Sequence, residues 1–304
     1  MKIDAYTAYQ SYAKHEKWIK IFFIWPTLLL LLFLIAYPFI MLIYYSFFNF
    51  SFLRQMNTRF VGLENYTFIL TDDYTWERFI FTFKYVVFAV GVQFFLGMLI
   101  AHLLQEKFRG RELVFTIVLM PMMLCPIVVG LFWKYMFNTE WGIINYFLHH
   151  LLSFPKIEWL GLEKNSIFAV VIADTWMWTP FMVLLSSAAF SAVPKYLYEA
   201  ASVDRASAWF KFTRITLPLS APILILAVLF RLMDCIKQFD LIYTLTGGGP
   251  GDATQTVSFA LYKTAFQYFY TGEGSAWAFI MLIIIIGLSS ILIKLLNYLS
   301  EKNK

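Results

Sequence analysis

Seven charged residues stand inside long apolar stretches of this sequence: Lys84, Lys134, Asp174, Arg231, Asp234, Lys237 and Asp240. A lone charge at the centre of a bilayer costs from about 3 to more than 10 kcal/mol, so such a residue must face protein or water. Lys84, Lys134 and Asp240 fall near the ends of their stretches, where snorkelling to the interface accounts for them. Arg231, Asp234 and Lys237 recur at i, i+3 and i+6 and share one side of a helix. That spacing suits either an intrahelical ion-pair ladder or the polar lining of a solute path. Trp176, Trp178 and Phe181 offer ring faces to a solute, as do Trp133 and Tyr135, although packing or an aromatic belt uses the same residue types.

A second constellation is "EAASVDRASAWFKFTRITLP", residues 199–218. It is rich in alanine and carries five charges between two apolar stretches. Pro194 suits the first turn of a short helix continuing through Lys195–Val203. Asp204 suits the N-cap of a second helix starting at Arg205 and Ala206. Such an element can dock into a groove on a partner protein, or it can be a linker tucking its aromatic residues among lipid headgroups. A third is the run Gly247, Gly248, Gly249, Pro250, which permits a tight turn. It has no lysine, and no phosphate-binding loop occurs anywhere in the chain, so ATP chemistry has no seat here. The four histidines lack metal-ligand spacing, and Cys125 and Cys235 read as inert thiols in apolar runs.

The elements that position these residues follow from composition. Of 304 residues, 60% are hydrophobic and 14% charged, against about a half and a quarter in a soluble domain. Six apolar segments result: Ile21–Tyr45, Phe79–Leu104, Leu113–Phe137, Ile167–Phe190, Pro218–Tyr243 and Ala276–Tyr298. Each, at about 1.5 Å per residue, spans about 30 Å of hydrocarbon as a helix. The first follows Lys14, Lys17 and Lys20 and is too long for a signal peptide. The Lys and Arg residues concentrate in the N-terminal segment, the second-to-third and fourth-to-fifth loops and the C-terminal end, which places both termini inside. The loop 138–166, with Trp141, Tyr146, Phe147, Phe154 and Trp159, should hold short interfacial helices. The simplest parse is an all-α membrane protein of one six-helix domain (21–298), with a cytoplasmic segment before it (1–20), a tail after it (299–304) and a cytoplasmic hairpin at about 195–217.

Residues 199–218 resemble the EAA signature of permease subunits of binding-protein-dependent ABC importers. Glu199, Ala200, Ala201, Asp204, Ala206, Phe212, Ile215, Leu217 and Pro218 match; Arg205 stands where the signature has glycine. "VGLENY" (61–66), "PMMLCPIVVGLFWKYMFNTEWGIIN" (121–145), "IEWLG" (157–161), "WMWTPF" (176–181) and "FDLIYTLTGGGPGDATQT" (239–256) are similar to the maltose-type branch, in order along the chain.

That resemblance implies a type I importer fold in a bacterial cytoplasmic membrane and a passive role for this chain. It implies a second permease subunit, two ATPase subunits holding ATP and Mg, an extracytoplasmic solute-binding protein and no nucleic acid. It casts Glu199, Ala200, Ala201, Asp204, Arg205 and Ala206 as the coupling element and the Gly247–Pro250 loop as part of the binding-protein surface. Lys84, Arg231, Asp234 and Lys237, with Trp176, Trp178 and Phe181, are then candidates for the sugar path. If Arg231 and Lys84 line it, an acidic saccharide such as a uronate oligomer would be favoured over a neutral one. Readings of another class are a channel, which needs no docking helix, and a membrane-embedded enzyme, which would cluster His, Cys or carboxylates at one depth.

Overall fold

The computed structural model describes residues 2–53, 58–106 and 108–302. Arg54 of an expected outer loop, Lys107 of the second-to-third loop and Lys304 of the C-terminal tail, all counted in the Lys and Arg distribution, lie outside them. The described residues form α-helices joined by short turns, with one isolated antiparallel bridge between Phe48 and Phe60. The long helices are α1 (Lys2–Ser46), α3 (Asp73–Leu103), α7 (Glu163–Ser191), α10 (Leu217–Ile236) and α13 (Thr271–Lys302). Between them lie α2 (Glu64–Thr71), α4 (Arg111–Leu119), α5 (Pro126–Met136), α6 (Ile143–Leu152), α8 (Lys195–Val203), α9 (Ala208–Lys211), α11 (Asp240–Leu245) and α12 (Val257–Tyr262).

Five helices are long and apolar enough to cross a membrane, and the count is six if a bent pair is taken as one span. That pair is the expected third span. Instead of running unbroken over Leu113–Phe137, it bends by 99° between Arg111–Met123 and Pro126–Met136. The cause is local: Pro126 excludes Cys125 from helical geometry, and Leu124 and Cys125 are both extended, with ψ of 147° and 135°. Pro121 sits in a 3₁₀ turn over Met120–Met123. Pro180, by contrast, does not interrupt its helix; α7 runs through it. The fifth span also ends early. α10 stops at Ile236, where Lys237 and Gln238 bond back three residues to Asp234 and Cys235, and the chain restarts as α11. The loop helix expected in 138–166 is α6.

The core is the packing of α3 against α7, completed by α10. Gly97 permits the α3–α7 approach: a Cβ there would overlap the Met182 side chain. The two short helices α5 and α11 pack on each other beside this core. α1 leans only on α13 among the long helices, and none of its most apolar window is buried. Such a surface belongs against lipid or another subunit.

Candidate functional site

Where α3, α7 and α10 meet, the side chains that sequence placed in separate spans converge. Arg231, 1% exposed, donates from Nε to Gln93 Oε1 at 2.8 Å and from Nη2 to Asp174 Oδ2 at 2.5 Å. Its Nη1 reaches Asp234 Oδ2 at 3.1 Å, and Gln93 Nε2 donates to the same Asp174 oxygen at 2.8 Å. Asp174 and Gln93 are fully buried, whereas the Asp234 side chain is 45% exposed. The guanidinium carbon lies 4.9 Å from the Trp178 ring centroid. This geometry corrects the i, i+3, i+6 ladder. Arg231 and Asp234 do pair, but Lys237 is exposed at the end of α10 without an ion-pair partner among the described residues. The stronger bonds cross between helices.

Lys84 joins neither group. It stands nine residues from Gln93 on α3, which at 100° per residue puts it on the opposite face. It is exposed there. Trp176 packs edge-on to Trp133 at 5.8 Å and stacks near Phe132 at 6.2 Å, and Phe181 meets Trp178 edge-on at 6.3 Å. Asp174 and Gln93 were the partners that sequence spacing did not supply. Gln93 was visible as the one amide in the apolar run from Tyr85 to Ala101.

α8 and α9 form the charged hairpin, which the distribution of Lys and Arg leads one to expect on the cytoplasmic side. Pro194 occupies the N-cap position, one residue before the helix starts. Asp204 is not the N-cap of the second helix; it closes α8, and Ser207 caps α9 by accepting from Phe210 N. Between them Arg205 has φ +52°. Ala206 N bonds to Ala201 O at 2.9 Å and Arg205 N to Ser202 O at 3.1 Å, the paired closure of a helix end by a left-handed residue. The signature's glycine falls where the backbone requires that conformation, and arginine bears a cost of roughly 1–2 kcal/mol there. Arg205→Gly should therefore raise the melting temperature of the purified chain by about 2 °C, a net gain reduced by glycine's freedom when unfolded. A lower melting temperature would show that the arginine makes a compensating contact.

Glu199, Ala200, Asp204 and Arg205 are exposed, Ala206 is half-buried and Ala201 is buried within the turn itself. Val203 is 82% and Trp209 74% exposed, an apolar pair that sequence reading had not joined. The segment is seated on the bundle by a π-turn, Phe212–Thr216. The Phe212 ring lies 5.0 Å from His102 of α3 and 6.1 Å from Phe190 of α7, and the Tyr198 hydroxyl bonds to Thr216 Oγ1 at 2.7 Å. The hairpin thus touches the ends of two core helices.

The glycine run, expected on the outer side, is a built turn. Gly247, Gly248 and Gly251 all have positive φ, and a Cβ on Gly248 would come within 2.8 Å of Gln255 and 2.9 Å of the Phe259 ring. Asp252 pins the loop to α3. Arg78, buried with its side chain 8% exposed, donates to the Asp252 carbonyl at 3.1 Å and to its carboxylate at 3.2 Å. Lys263 approaches the same carboxylate at 3.7 Å, and Tyr74 covers Arg78 at 4.1 Å. Asp252→Ala should remove the carboxylate half of this contact, leaving Arg78 the backbone carbonyl and a 3.9 Å approach to Glu77, at a cost of about 1.5–3 kcal/mol for a charged hydrogen bond. Protease added from outside should then cut within 246–256 about tenfold faster; an unchanged cleavage rate would show that the pair does not hold the loop.

Five membrane-crossing helices with a bent pair, an exposed hairpin and a pinned loop make up a multi-pass membrane subunit. Residues 93–304 match the family described as binding-protein-dependent transport system inner membrane component. The chain is 38% identical over 238 residues to the trehalose/maltose transport system permease protein MalF of Thermococcus litoralis, covering 77% of this chain and 79% of that one. It is 36% identical over 251 residues to the trehalose transport system permease protein SugA of Mycobacterium tuberculosis, covering 83% and 80%. The structure of a bacterial ABC transporter involved in the import of alginate superposes with a TM-score of 0.81 over 93% of this chain and 96% of that chain, at 18% identity. The chain therefore belongs to the binding-protein-dependent inner membrane permeases, with the fold of an ABC importer permease. It is a transport subunit, not an enzyme.

Proposed function

We propose that this chain forms half of the solute path of an ATP-driven importer for neutral sugars or oligosaccharides. A second permease completes the path, two ATPase subunits carry ATP and Mg, and a soluble binding protein delivers the solute to the outer loops, Gly247, Gly248, Gly249 and Pro250 among them. The observation that carries the reading is the exposed hairpin of α8 and α9 in a chain without a phosphate loop of its own. The sugar comes from the relatives' names.

An ATPase can drive the switch only through contacts that differ between its two states. Exposed Glu199, Ala200, Asp204, Arg205 and Val203 are the groups positioned to make them, with Ala201 and Ala206 shaping the turn beneath. In the membrane, the half-exposed Asp234, exposed Lys237 and the rings of Trp176, Trp178 and Phe181 are the candidate solute contacts. Neutral sugars are favoured over acidic ones because Arg231 is buried and paired with two carboxylates and Lys84 lies on the opposite face of α3.

The test is uptake into vesicles holding both permeases and the ATPases, with binding protein added. Trehalose, maltose or a maltodextrin should accumulate only with ATP, and a uronate oligosaccharide should not compete. Accumulation by this chain alone would overturn the coupling. Competition by uronates would overturn the neutral substrate.

A further inference from the structure

Lys84 is the one basic side chain in an otherwise apolar groove between the outer halves of α3 and α7. The groove holds about 690 Å³. Lys84, Phe88, Gly91 and Phe95 run along α3 at i, i+4, i+7 and i+11, a single stripe, and Phe168 and Val171 of α7 form the opposite wall. Gly91 leaves a notch in the stripe: a Cβ there would meet no atom within 4 Å. Lys84 is exposed and makes no ion pair or hydrogen bond among the described residues. An ammonium ion at that position needs an anion or water.

Geometry says at which depth. With both termini inside, α3 begins on the outer side at Asp73. Lys84 lies six residues, about 9 Å, below Arg78. Helical side chains tilt toward the helix N-terminus, so the ammonium rises toward the outer headgroups and the apolar stripe hangs below it. A cation lifted toward the headgroups above a hydrocarbon groove matches an anionic phospholipid: phosphate above, acyl chain below. A carboxylate from a sister subunit would have to be carried into the hydrocarbon to fill the same groove.

We propose that this groove binds an anionic glycerophospholipid of the outer leaflet, with its phosphate on Lys84 and one acyl chain across Gly91. The site is independent of the sugar reading. The test is to purify the assembled transporter from membranes of mixed phosphatidylglycerol and phosphatidylcholine, strip lipid stepwise and count retained lipids by native mass spectrometry. Wild type should hold phosphatidylglycerol in preference to phosphatidylcholine. Lys84→Gln should hold phosphatidylglycerol about fivefold more weakly, the effect of one basic residue at a charged membrane surface, with phosphatidylcholine unchanged. Lys84→Arg should retain the preference, and Gly91→Leu, which fills the notch, should lower retention of both lipids. Equal phosphatidylglycerol retention in wild type and Lys84→Gln would overturn the proposal. So would a zero-length cross-link from Lys84 to a sister-permease carboxylate in the lipid-loaded complex. Either result leaves the ATP-dependent uptake measurement untouched.

Discussion

Replacing Arg231 by methionine should destabilise the purified protein by about 3–5 kcal/mol, the cost of stranding a buried charge. Asp174 is 0% exposed in the middle of α7, and without the guanidinium its carboxylate keeps the amide of Gln93 but no charged partner. The triple variant Gln93→Leu, Asp174→Leu, Arg231→Met removes every fully buried member at once. It should melt near the wild-type temperature, because a buried ion pair is often matched by apolar side chains of similar volume. Thermal unfolding in detergent separates the cases. If Arg231→Met melts with wild type, the network contributes nothing to the fold. If the triple variant melts as low as the single one, the loss is one of packing and not of charge. Asp174→Asn should fall between, since Arg231 keeps Asp234 and Gln93.

Reversing charge on the hairpin should act on transport and leave the fold alone. Glu199 is exposed on α8, so Glu199→Lys should shift stability by less than about 0.5 kcal/mol. ATP-dependent uptake should nonetheless fall about 30-fold, the effect of losing a contact worth about 2 kcal/mol at a docking surface. Val203→Asp should behave alike, because an 82% exposed valine offers the apolar anchor that docking would bury. Uptake per assembled complex and ATP hydrolysis are the paired readouts. Normal uptake in both variants would remove the hairpin from the coupling path. Loss of assembly and of ATP hydrolysis together would show that these residues hold the ATPase instead of signalling to it.

The sequence by itself determined the class of this protein. Lengths of apolar runs set the number of crossings, because hydrocarbon thickness and helical rise admit few solutions. The distribution of Lys and Arg set an expected orientation, and the order of residues in 199–218 set the resemblance to importer permeases. All three signals are local or additive along the chain. The Arg231–Asp234 pair was legible for the same reason, being three residues apart on one helix.

Only the tertiary structure decided which charges meet. Gln93 is 138 residues and Asp174 57 residues from Arg231, and whether they face it depends on how α3, α7 and α10 rotate and close on one another. Helical periodicity names the residues of a face but not the face's neighbour. The same limit explains Lys84, which shares a helix with Gln93 yet points the other way. It explains the caps at 204–207, where Asp204 and Ser207 are both good N-cap residues and the left-handed backbone at Arg205 selects between them. The bend at Pro126 was half legible. Proline marks where a helix can break, but the packing of α5 on α11 decides where the freed half-helix goes.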